Sequence, residues 1–214
     1  SGRRRSPASR RVLSPRAARW WIAGASMALG VLQVLALPER DPFTQTLSSY
    51  EYTDWGWLFP LSLVLFGVGI LLLVAQLART ARTPRALLTG AAVASWVTAL
   101  FPSGDSAAGG SWWGEVHRWG SIALVVLVLG ATLLLRRSGQ LAAGSRVALR
   151  LVLVAAGAGA AFLAGQAVKS PEASLLGQAP LAGGLTQRIL VAAVAAALLV
   201  IAAHATVSRG RPTA

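Results

Sequence analysis

The sequence predicts an all-α polytopic membrane protein, a bundle of six transmembrane helices, on three observations. The 214 residues are 55% hydrophobic and only 13% charged, whereas soluble domains average about 25% charged residues. Apolar runs of roughly 18 to 20 residues, long enough to cross a bilayer core of about 30 Å, recur along the chain. These runs lack the period-two alternation of membrane β-strands, and helices satisfy their backbone hydrogen bonds within each segment. A water-soluble single domain is thereby excluded.

Six apolar segments are predicted to cross the membrane. In chain order they are residues 18–37, 55–77, 85–101, 115–135, 147–168 and 185–206. The first is interpreted as a retained helix rather than a signal peptide, because it is longer than a signal-peptide apolar region and five further spans follow. Residues 1–17 are predicted to form a basic disordered cytoplasmic tail, and 207–214 a cytoplasmic C-terminal tail. The transmembrane domain is predicted to occupy 18–206.

The basic residues predict the orientation. Sixteen of the 20 Lys and Arg residues lie in or beside the N-terminal tail, the second-to-third and fourth-to-fifth connections, and the C-terminal tail. Because cytoplasmic loops are enriched in Lys and Arg, this side is predicted to be the cytoplasm, with both termini there, in a multi-pass protein of the cell membrane. The net charge of +13 therefore reflects topology. Nucleic acid is not an expected partner, because no aromatic-rich polar domain accompanies the basic clusters.

The predicted exterior face gathers the polar residues that suit a site. All seven acidic residues lie there, together with a long first outer connection (38–54) and a second one (102–114) that leads into the fourth span. Ionisable residues at the end of a span are either interfacial anchors or parts of a site. The candidate catalytic residues are Asp105, Glu115 and His117. The candidate ligand-binding residues are Tyr50, Asp54, Asp105, Glu115, His117, Arg118, Gln187 and Arg188.

Structural roles are the alternative for the same residues. Glu115 and Arg118 stand three apart on one helix and can pair with each other. Gln33, Gln187 and Arg188 fall near the same membrane level, where buried polar side chains form hydrogen-bond networks between helices. A single exterior histidine is not a metal signature, and the chain has no cysteine. No metal site and no cofactor are expected.

The fifth span carries a small-xxx-small pattern at Gly157, Ala161 and Gly165. Small residues at this spacing let two helix backbones approach closely. We expect this face to pack inside the bundle, and an oligomer interface is the alternative. The oligomeric state stays open.

Four short motifs resemble a family of uncharacterised bacterial and archaeal integral membrane proteins of about six spans, a domain of unknown function. They are LSSYEY (47–52) running into GWLF (56–59), LFGVG (65–69), FP (101–102) with Asp105, and GEVH (114–117). In that family the acid follows Phe-Pro more closely than here, where Ser103 and Gly104 intervene. The resemblance implies six helices and an outer site, and it implies no reaction.

Three function classes fit these observations. The first is a protein that binds a lipid headgroup, a small ligand or a partner membrane protein through the exterior polar residues. The second is an intramembrane enzyme acting on a lipid or lipid-linked substrate, with His117 as acid or base. The third is a lipid transporter or flippase, which requires polar residues at the bilayer midplane or broken helices. Membrane lipids are expected partners in each class. Binding ranks first and the enzyme second, and transport ranks third because the spans are most apolar at their centres.

Overall fold

The computed structural model describes residues 15–39, 45–77, 81–103, 111–141, 144–167 and 183–204. These ranges contain six α-helices, one 3₁₀ helix and no strand. The 3₁₀ helix, Leu47–Tyr52, lies between the first two α-helices. The α-helices are α1 (Pro15–Leu35), α2 (Leu58–Gln76), α3 (Arg82–Leu100), α4 (Trp112–Arg137), α5 (Ser145–Ala167) and α6 (Gly183–His204). Each coincides with one predicted span to within three residues at either end, so the prediction of an all-α membrane bundle is confirmed.

Five of these helices are long and apolar enough to cross a membrane, and α3 is the exception. α3 has the required length, at 19 residues. Its first turn carries Arg82 and Arg85, and Ala, Thr and Ser make up much of the remainder, which lowers its hydropathy. This composition suits the position of α3 between α2 and α4, because small side chains allow close packing on both flanks.

Consecutive helices are the principal neighbours in the bundle. α1 packs on α2, α2 on α3, and α3 on α4, while α5 and α6 pair with each other. α6 also contacts α1 and α4, so the α5–α6 pair closes the bundle against its first and fourth helices. One continuous apolar core results, to which all six helices contribute.

The LFGVG motif lies in α2 where two neighbouring helices approach it. A Cβ added at Gly67 would overlap the indole of Trp96 on α3, and one added at Gly69 would lie 2.7 Å from Cγ1 of Ile22 on α1. On the α3 side, the Ser95 hydroxyl donates to the Leu63 carbonyl at 2.7 Å. The two glycines of the motif therefore allow α1 and α3 to pack closely on α2.

The predicted packing of α5 is wrong for the residues whose surroundings the structure describes. Gly157 and Ala161 are exposed, and a Cβ at Gly157 would meet no atom within 4 Å. α5 instead buries Ala148, Ala155 and Ala158. Small residues occur on both faces of this Ala-rich helix, so their spacing alone does not identify the packed face. The side-chain surroundings of Gly165 lie outside the described part.

The predicted tails fall mostly outside the described residues. Residues 15–17 of the predicted N-terminal tail begin α1, while 1–14 and 207–214 are not described. At the end of the bundle where α1 begins and α6 ends, Arg19 Nε and Nη2 donate to the carbonyls of Ala202 and Ala203, both at 3.2 Å. A cation at the C-terminus of α6 satisfies carbonyls that have no partner within the helix.

Candidate functional site

The predicted exterior residues gather at one end of the bundle, here called the outer end. α1, α3 and α5 end there, and α2, α4 and α6 begin there. Five exposed tryptophans surround it: Trp55, Trp57, Trp112, Trp113 and Trp119. Tryptophan is enriched at the membrane–water interface, which agrees with a position at the headgroup level.

The 3₁₀ helix Leu47–Tyr52 lies at the outer end and is here called the plug. Tyr50 has 0% of its surface exposed. The Leu47 backbone N–H donates to Gln187 Oε1 at 2.6 Å, which joins the 3₁₀ helix to α6. On the other side, the Ser103 N–H donates to Glu51 Oε2 at 3.0 Å, which joins it to the end of α3. The plug therefore connects helices that are distant in sequence.

Arg188 on α6 also contacts the plug, through Tyr50. Its Nε donates to Gln33 Oε1 on α1 at 2.7 Å, and its Nη1 donates to the Gln45 and Gly184 carbonyls, each at 2.9 Å. The guanidinium carbon lies 5.1 Å from the centre of the Tyr50 ring, a cation–π distance. Three of the predicted ligand-binding residues, Tyr50, Gln187 and Arg188, are thus brought together, and their contacts are with other parts of the bundle.

His117 lies apart from that network, on α4 between α2 and the end of α3. Only 6% of its surface is exposed. Its Nδ1 lies 2.7 Å from the carbonyl of Phe101, the C-cap residue of α3. Since a carbonyl only accepts, Nδ1 carries the proton, and the bond satisfies one of the carbonyls that a helix leaves open at its end.

The ring of His117 is held on its face as well as at Nδ1. The Phe59 ring of α2 stacks on it, with centroids 6.0 Å apart and an interplanar angle of 23°. With the proton on Nδ1, the neutral ring has a lone pair on Nε2. Nε2 makes no hydrogen bond to another described residue. The arrangement positions Nε2 at the outer end, where it is a hydrogen-bond acceptor in the neutral ring.

Glu115 and Arg118 point to the bundle surface rather than toward His117. Arg118 Nη2 donates to Glu115 Oε2 at 2.6 Å, and the two side chains are 60% and 49% exposed for Arg118 and Glu115 respectively. The Arg118 guanidinium also lies 5.5 Å from the Trp119 ring centre. The expected i,i+3 pairing is therefore formed, and both charges stay accessible at the outer end.

Of the two remaining candidates, only Asp54 is described, and it makes no hydrogen bond or ion pair with another described residue. Asp54 is exposed in the turn that leads into α2, and Asp105 lies outside the described residues. Across the described ranges no group of three or more His, Cys, Asp and Glu side chains is placed to hold a metal ion.

Sequence reasoning missed two partners of His117. The Phe59 ring and the Phe101 carbonyl lie 58 and 16 residues away from it along the chain, in motifs (GWLF and FP) that carry no ionisable group. Their common signal is position, because both motifs stand at the outer ends of their helices. A phenylalanine at the end of one helix and a histidine at the same end of a neighbouring helix form the sequence pattern that could have predicted this contact.

The family model described as "Protein of unknown function (DUF998)" matches residues 15–204. The chain belongs to the DUF998 family. The matched region begins and ends with the six-helix bundle, and it contains the 3₁₀ helix, Phe59, Phe101 and His117. No curated protein sequence and no solved structure matches the chain. DUF998 membership confirms the resemblance to an uncharacterised membrane-protein family and assigns no reaction.

Proposed function

We propose that this DUF998 membrane protein binds a lipid headgroup at its outer end, with Nε2 of His117 accepting a hydrogen bond from the headgroup. The observation that supports it most is the geometry of His117. One ring nitrogen is committed to the Phe101 carbonyl at 2.7 Å, and the other has no partner among the described residues. An ionisable side chain within a membrane span is by default a functional-site hypothesis, because it is expensive to keep there.

Binding is favoured over acid–base catalysis by the group that orients the ring. His117 Nδ1 donates to a backbone carbonyl, whereas a catalytic histidine is commonly oriented by a carboxylate that stabilises the imidazolium. Transport is less favoured because the described helices run without breaks, and transporters place substrates at discontinuous helices.

Two substitutions separate the two nitrogens of His117. Asparagine places an N–H donor near the Nδ1 position and has nothing at Nε2, so His117→Asn should keep the bond to Phe101 and lose headgroup binding. Glutamine reaches the Nε2 position and leaves Phe101 without its donor, so His117→Gln should lower the free energy of unfolding by about 1–3 kcal/mol. The matched control is His204→Asn, because His204 is the last residue of α6 and lies at the end of the bundle opposite the outer end.

The probes are three short-chain lipids added to purified protein in detergent. Dihexanoyl phosphatidylethanolamine and dihexanoyl phosphatidylglycerol carry N–H or O–H donors in the headgroup, and dihexanoyl phosphatidylcholine carries none. The parent and His204→Asn should bind the first two in preference to the third, measured by native mass spectrometry and by the rise in Tm. His117→Asn should melt like the parent and lose that preference. Equal binding of all three lipids by the parent, or unchanged binding by His117→Asn, contradicts the proposal.

A further inference from the structure

An open groove runs along the surface between α3 and α4. It has a volume of about 450 Å³, within the range of small-molecule sites. Val93, Ala94 and Val97 form its α3 wall, and Trp119, Ala123 and Leu127 belong to its α4 wall. Along α4 it extends from Glu115 to Leu127, about 18 Å at 1.5 Å per residue. This length is close to the depth of one leaflet in a core of about 30 Å.

The groove exists because α3 and α4 approach each other closely at small residues. A Cβ added at Gly120 on α4 would lie 2.7 Å from the Thr98 hydroxyl on α3. Val93, on the α3 wall of the groove, is 51% exposed. No described residue from another helix lines the groove. α4 is long and apolar enough to cross a membrane and α3 packs along it, so the acyl chains of a surrounding bilayer reach the groove.

Charges of both signs stand at the outer mouth of the groove. Glu115 lines it, with Arg118 paired to Glu115 and lying over the Trp119 ring. A carboxylate attracts an ammonium group, and a guanidinium binds a phosphate, in both cases through charge-assisted hydrogen bonds. The order of these charges complements a headgroup that carries a phosphate and a primary amine.

We infer that the α3–α4 groove holds one acyl chain of an aminophospholipid, with its phosphate on Arg118 and its ammonium on Glu115. The inference goes beyond the proposed function, since it concerns a second lipid position at the outer end. It does not involve His117. Phosphatidylethanolamine has the required charges, whereas phosphatidylglycerol lacks the amine.

The test uses the full chain in nanodiscs of equal phosphatidylethanolamine and phosphatidylglycerol, released into detergent and examined by native mass spectrometry. The parent should retain one phosphatidylethanolamine molecule. Val93→Phe fills the groove and should reduce that retention at least fivefold. Val126→Phe is the matched control, since Val126 is 60% exposed on α4 and does not line the groove, and it should retain lipid like the parent. Glu115→Gln, a surface change, should retain both lipids equally.

Absence of retained phosphatidylethanolamine on the parent overturns the inference, as does equal loss in Val93→Phe and Val126→Phe. An unchanged lipid preference in Glu115→Gln overturns the headgroup assignment. These failures are distinguishable from failure of the proposed function, because His117→Asn changes Nε2 and leaves the groove intact, whereas Val93→Phe fills the groove and leaves His117 intact. If His117→Asn abolishes short-chain binding while the groove variants have no effect, the proposed function stands and the groove inference falls.

Discussion

Glycines at similar depths in two helices of the bundle have opposite surroundings. Gly69 on α2 faces Ile22, whose Cγ1 would lie 2.7 Å from an added Cβ, and Gly157 on α5 faces open space. Gly69→Leu should force α1 away from α2 and lower the free energy of unfolding by about 1–3 kcal/mol. Gly157→Leu should leave it unchanged. Thermal unfolding of both variants in the same detergent checks this, and a comparable loss of Tm in Gly157→Leu contradicts the assignment of the packed face of α5.

Arginines at the same end of the bundle are also expected to differ in their effect. Arg188 makes hydrogen bonds to Gln33 and to two carbonyls, while Arg118 makes one exposed ion pair. Since a hydrogen bond to a charged group is worth about 1.5–3 kcal/mol and an exposed ion pair about 0–1 kcal/mol, Arg188→Met should destabilise the protein much more than Arg118→Met. Similar melting of the two variants in detergent argues against a structural role for Arg188.

At the scale of the element, the 3₁₀ helix offers a matched pair of tyrosines. Tyr50 is 0% exposed beneath Arg188, and Tyr52, two residues on, is 49% exposed. Truncating a buried aromatic side chain removes its packing and leaves a cavity, so Tyr50→Ala should lower the free energy of unfolding by about 3–5 kcal/mol. Tyr52→Ala should have little effect. Measurement of Tm for both variants in detergent tests whether the plug contributes to the fold, and equal Tm values for the two variants count against it.

The elements also show where sequence reasoning succeeds and where it stops. The ends of all six helices could be predicted to within three residues, because the bilayer requires long apolar segments and each one has a visible composition. The 3₁₀ helix could not, since residues 38–54 carry neither an apolar run nor a helical period. Its place depends on Tyr50, Gln187 and Glu51 meeting partners on other helices, and sequence order does not reveal such contacts.

At the scale of the whole molecule, the orientation in the membrane is a prediction that introduced cysteines can test, since the chain has none of its own. Asp54 is exposed at the outer end and Ser138 at the opposite end of the bundle. A membrane-impermeant maleimide added to intact cells should label Asp54→Cys and leave Ser138→Cys unlabelled until the membrane is permeabilised. The reverse pattern contradicts the assignment of the outer end to the exterior.

The sequence by itself determined the class of protein, the number and limits of the helices, and the membrane level of His117. These follow from composition and from the bilayer thickness, which act on each segment separately. Only the tertiary structure decided which polar residues act as mutual partners, as Arg188 and Gln33 do, and which polar atom has no partner among the described residues, as His117 Nε2 does. The tertiary structure also decided that Gly157 lies on the exposed face of α5 and that α3 and α4 leave a groove between them. The physical reason is that packing and hydrogen bonding join residues far apart in the chain, and neither composition nor periodicity reveals such pairs.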